Sequence, residues 1–75
     1  MNEHDALENQ AIDAAINLDW KTAIATNKKI LKEAKFDLNC LLRLAFAYMQ
    51  SGDFVNAKKT YKQVLKIQTE NQIAH

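Results

Sequence analysis

Cys40 is the only thiol of this chain, and His4 and His75 are its only imidazoles. A thiol becomes a working nucleophile when a neighbouring imidazole or cation stabilises its thiolate. Neither histidine stands at helical spacing from Cys40, which therefore reads as a small packing residue. No Cys/His set has the spacing of metal ligands. Gly52 is the single glycine, so the glycine-rich turns that cradle phosphates are excluded. Glu8 and Asp13 fall on a helical run with no evident cleft and read as solvated charge. These residue types argue against an enzyme and call for neither cofactor nor metal. What remains is the chemistry of surfaces.

Charge is distributed unevenly along the chain. Residues 1–20 carry five carboxylates and no Lys or Arg, while residues 21–75 carry all ten basic residues and four acidic ones. One end of the molecule is expected to be acidic and the rest basic. Lys21, Lys28, Lys32 and Lys35 align on one flank of a second helix, and Lys58, Lys62 and Lys66 on a fourth. The rows read either as a solvated face or as a contact for phosphates or an acidic protein. A net charge of +1, a single arginine and the lack of an interleaved aromatic row argue against nucleic acid.

Seventy-five residues make at most one small domain with a thin core, and a lone cysteine supplies no disulfide to staple it. The acidic, polar start MNEHDALENQ is unlike a secretory or mitochondrial leader, and no apolar run is long enough to cross a bilayer. The expected setting is reducing and cytoplasmic, with no membrane contact.

The elements that must position these groups are helical. There is no proline, and Ala, Leu, Lys, Glu and Gln are common, which favours helix nearly throughout. Periodicity places helices near residues 4–16, 20–34, 38–50 and 54–68. Asp19, Asp37 and Asp53 each precede a helical run as N-caps. Gly52 suits the left-handed residue that ends a helix, and Phe54 is expected to be the first inward side chain of the next one. Shifted by 34 residues, the chain overlays on itself without a gap. Leu7 meets Leu41, Ala11 meets Ala45, Asp19 meets Asp53, Trp20 meets Phe54, and Ala23 meets Ala57. Leu18 falls on Gly52, where a branched side chain resists positive φ; Asn17 is the alternative left-handed residue. A helix–turn–helix unit repeated at this length predicts an all-α solenoid of two stacked hairpins.

The second unit resembles a tetratricopeptide repeat, with Leu41, Leu44, Ala45, Tyr48, Gly52, Phe54, Ala57, Tyr61 and Leu65 at the family's large and small positions in order. Thr69 stands where the family has a proline. The first unit departs further: Ala14 replaces a tyrosine, Leu18 the glycine, Asn27 an aromatic and Lys35 the proline. The resemblance gives repeats at 4–37 and 38–71, with 72–75 as the start of a capping helix or a tail. It implies a concave groove, lined by the first helix of each pair, that binds extended or helical segments of other proteins.

Carried over one at a time, the family's groove positions fall on Asp5, Glu8, Ile12 and Ile16, with Asn9 at the edge, and on Asn39, Leu42, Phe46, Met49 and Gln50, with Arg43 at the edge. Helical geometry supports part of this independently. Leu41, Leu44, Ala45 and Tyr48 form one apolar stripe, and Leu42, Phe46 and Met49 a second, about 100° away. That second stripe is either core under neighbouring helices or an apolar floor for a ligand. The family's lysine-and-asparagine carboxylate clamp is not reproduced, since Glu8 and Leu42 occupy its places. The acidic first helix suits a ligand with basic character.

Two repeats fall short of the three that usually bury a continuous core. Residues 71–75 look like the first turn of a fifth, capping helix, and without it Val64, Leu65 and Ile67 are expected to be partly exposed. The expectations are a homodimer through that open end, a longer parent protein, or a marginal minimal module. In a self-association, the acidic first helix of one copy could also meet the basic flank of another.

Overall fold

Three aspartates start three of the four helices. The computed structural model describes residues 3–73. Among them are α1 (Glu3–Ile16), α2 (Trp20–Glu33), α3 (Leu38–Ser51) and α4 (Phe54–Ile73), and no strand. The carboxylates of Asp19, Asp37 and Asp53 each accept from the backbone N–H three residues on, at Thr22, Cys40 and Asn56, all at 3.2 Å. Each satisfies a donor that the first helical turn leaves open.

The two corners inside the hairpins are built alike. Leu18 N–H donates to the Ala15 carbonyl at 3.0 Å and Asp19 N–H to that of Ala14 at 2.8 Å. At the second corner, Gly52 N–H donates to Met49 at 3.1 Å and Asp53 N–H to Tyr48 at 2.9 Å. Both follow the paired pattern that closes a helix around a left-handed residue, and both residues have positive φ, 60° at Leu18 and 89° at Gly52. Leu18, not Asn17, is thus the left-handed residue. Asp19 must cap α2 immediately after the turn, which leaves position 18 as the only place for it. Asn17 instead donates its side-chain amide to the Asp13 carbonyl at 2.9 Å. The corner between hairpins is different: Ala34 ends α2 and Asp37 N–H returns to the Ala34 carbonyl at 3.2 Å.

Packing is sequential, α1 on α2, α2 on α3, α3 on α4. Small residues set the spacing. Ala11 and Ala45 are fully buried at matching positions, and Ala14, Ala23 and Ala47 bring α1, α2 and α3 together, with Trp20 and Ile24 packed against them. Ile30 and Leu41 are the largest apolar side chains to be fully buried; truncation of either to alanine would cost about 2–5 kcal/mol. The radius of gyration is 12.5 Å, above the roughly 11 Å of a compact domain of this length. The molecule is a slab of 38 × 33 × 17 Å, too thin to cover every helix on all sides.

Three expectations are corrected. Phe54 does not point inward; it is 63% exposed. Its counterpart Trp20 is half-buried because α3 follows α2, and no described helix follows α4. Val64 is buried rather than exposed, as Ile30 is at the same place one unit earlier, whereas Leu65 is 62% exposed and Ile67 is intermediate. No fifth helix begins at residue 71 or 72: α4 runs on to Ile73, since nothing at Thr69 stops it as a proline would. Residues 74 and 75 lie outside the described residues.

Candidate interaction surface

The second stripe of α3 is not core. Leu42, Phe46 and Met49 are 41%, 49% and 41% exposed, and Ile12 on α1 is 38% exposed. The spacing of Leu42, Phe46 and Met49 puts them one turn apart on one side of α3. Ile12 lies 34 positions before Phe46, so like corners present the two from matching places on α1 and α3. Ile16, one turn beyond, is more exposed still, and Asn39 and Gln50 are exposed at the two ends of the row. Phe46 is held from beneath by Trp20, whose ring it meets edge-on with centroids 5.7 Å apart. Such a pair contributes about 0.5–1.5 kcal/mol beyond its burial.

Arg43 is drawn away from this row. Its Nε donates to the Asn27 Oδ1 at 3.2 Å, and one Nη lies 4.0 Å from a carboxylate oxygen of Glu8. Asn27 is fully buried and also donates its amide to the Ala23 carbonyl at 2.9 Å. The Cys40 thiol points to the Asn27 carbonyl at 3.2 Å. His4 Nε2 lies 3.7 Å from Asp37. A polar seam therefore joins the hairpins, tying α1 and α2 to α3. The position of Asn27 was visible as a polar residue where an aromatic was expected; its partners were not.

Burial pushes the Cys40 thiol up to about 11, which makes it inert at neutral pH and agrees with a packing role. Asp19 and Asp53 are held below the ordinary carboxylate value. The Thr22 and Asn56 side chains are the largest cause, followed by their backbone N–H groups. His4, Asp5 and Glu8 place donor atoms within 4.8 Å of one another on α1, a grouping that spacing alone did not single out. The Arg43 guanidinium beside Glu8 opposes a cation there.

Two clefts lie elsewhere. One, of about 530 Å³, opens between α2 and α4, where Leu31, Phe36 and Leu41 face Ile67 and Lys66. The other, of about 380 Å³, lies between the start of α1 and the end of α2. The apolar row lines neither, because two leading helices make a shallow wall rather than an enclosed groove. The lysines of both flanking rows are exposed. Among the described residues no helix is long and apolar enough to cross a membrane.

Fold and surface together define the class: a small all-α domain of four sequentially packed helices. No protein-family model matches the chain, and neither curated proteins nor solved structures show significant similarity to it.

Proposed function

We propose that this chain is a tetratricopeptide-type module, non-enzymatic and cytoplasmic, that holds a segment of another protein against the wall formed by α1 and α3. The observation that carries this is the exposure of Leu42, Phe46 and Met49 in a row on α3 and of Ile12 at the matching place on α1. Four large apolar side chains at matching places on the two leading helices are more than scattered surface apolarity requires. Support for the family reading comes from the matching corners at Leu18 and Gly52 and from the small buried pairs Ala11/Ala45 and Ala23/Ala57. The ligand would present large apolar side chains to Phe46 and Met49. It would carry basic residues toward Asp5 and Asp13, while Asn39 and Gln50 set its polarity and Arg43 fixes the helix that carries the row. Methionine in the row tolerates ligands of different shape.

The test is a selection of displayed random peptides on the wild type, repeated on Phe46→Asp with far-ultraviolet circular dichroism in parallel. Peptides with an apolar consensus should bind the wild type and lose at least about tenfold in affinity on the variant, with helicity retained. Binding that survives the substitution would remove Phe46 from the site. Loss of helicity would make it a structural residue.

A second reading is favoured by the exposed Phe54 and Leu65 on α4. There the chain serves a structural role, and α4 docks onto a further helix.

A further inference from the structure

The outer side of α4 repeats the side of α2 that α3 covers. Trp20 of α2 meets Phe46 of α3 edge-on, and Trp20 and Ile24 pack against the buried cluster to which Ala47 of α3 belongs. Thirty-four positions on, α4 offers Phe54 and Lys58, both exposed, and Leu65, two turns further, is exposed as well. The helix built like α3 is α1, and 34 positions before Phe46 and Ala47 it carries Ile12 and Asp13, also exposed. Transferring the α2–α3 contact to α4 and the α1 of another molecule sets Phe54 against Ile12 and Lys58 against Asp13. The internal joint has the apolar residues Ile24 and Ala47 in one cluster where the external one has a cation and a carboxylate.

From this we infer that the chain stacks head to tail on a second copy, α4 of one molecule receiving α1 of the next in the register of its own α2–α3 joint. The charges of the two ends agree with it. α1 carries Glu3, Asp5, Glu8 and Asp13 and no Lys or Arg, while α4 carries four lysines against Glu70. A contact between unlike surfaces does not close on itself as a symmetric dimer does, and it can continue from copy to copy. Stacking also places Ile12 of the incoming copy beyond Phe46 and so lengthens the apolar wall, but the contact itself does not depend on that wall binding a ligand.

Sedimentation of the whole chain over a range of concentration and salt tests the inference. The wild type should show a mean mass that rises with concentration without a plateau at the dimer. It should fall as salt screens the Lys58–Asp13 contact. Lys58→Asp and Asp13→Lys, each alone, oppose like charges and should weaken association roughly tenfold. Mixed in equal amounts they recreate unlike pairs at every joint, and assembly should return. Circular dichroism checks that each variant is folded, and Phe54→Ser provides a second, uncharged break in the same joint. A monomer at all concentrations would overturn the inference. So would a closed dimer indifferent to Asp13→Lys, which is the signature of α4 meeting α4, or a failure of the mixture to restore assembly.

Discussion

Leu18 and Gly52, 34 residues apart, turn the chain through the same left-handed corner, with φ of 60° and 89°. Glycine does this without steric cost. Leucine sets its Cβ against the following carbonyl, at about 1–2 kcal/mol. Leu18 is 70% exposed, so little packing offsets the strain. Leu18→Gly should therefore stabilise the fold by about 0.5–1 kcal/mol in urea denaturation. Gly52→Ala should destabilise it by about 1 kcal/mol, through the backbone alone, since a Cβ there meets nothing within 4 Å. A Leu18→Gly variant less stable than the wild type would contradict this account of the corner.

The Asn27 amide organises the joint between hairpins. Removing it leaves Arg43 Nε without an acceptor, beside an Nη that already has none. Asn27→Ala should cost about 2 kcal/mol. In a double-mutant cycle with Arg43→Met, the second substitution should cost less in the Asn27→Ala background than in the wild type. Strict additivity would mean that the two do not interact.

Cys40 should resist alkylation. Its thiol is fully buried and raised to about 11, so at pH 7 the thiolate is scarce and out of reach. Iodoacetamide labelling followed by mass spectrometry should run at least about a hundredfold slower in the folded chain than in urea. Labelling at similar rates in both states would show that the joint opens readily.

The capping carboxylates make stability depend on pH in the acid range. Asp19 and Asp53 are shifted below their ordinary 3.8 in the folded state. Their contribution is complete above that value and is lost as pH falls through the lower folded values. Asn caps a helix about as well as Asp but does not titrate. The double variant Asp19→Asn/Asp53→Asn should therefore hold its midpoint between pH 4 and pH 2 better than the wild type in urea titrations. An unchanged acid limb would assign that loss to other groups.

Most of the helical plan was legible in the sequence because local chemistry sets it. Asp19, Asp37 and Asp53 mark helix starts by bonds that span three residues, and Gly52 marks a stop by its own backbone freedom. The split of α3 into a buried stripe at Leu41, Leu44 and Ala45 and an exposed one at Leu42, Phe46 and Met49 followed from the helical period. The period could not say whether anything covers the second stripe. Nor could it show that Arg43, expected at the edge of the row, turns to Asn27 instead.

By itself, then, the sequence determined where all four helices begin and where the first three end, and it overlays on itself at a shift of 34; α4, expected to end near residue 68, runs on to Ile73. Caps, turns and periodicity act over one or two helical turns. Only the tertiary structure decided which apolar residues are covered. Trp20 is half-buried and Phe54 exposed, although the 34-residue shift places one on the other, because α3 covers the side of α2 that carries Trp20 and no described helix covers the matching outer side of α4. Burial belongs to a pair of elements, and that pairing is absent from either residue's local sequence.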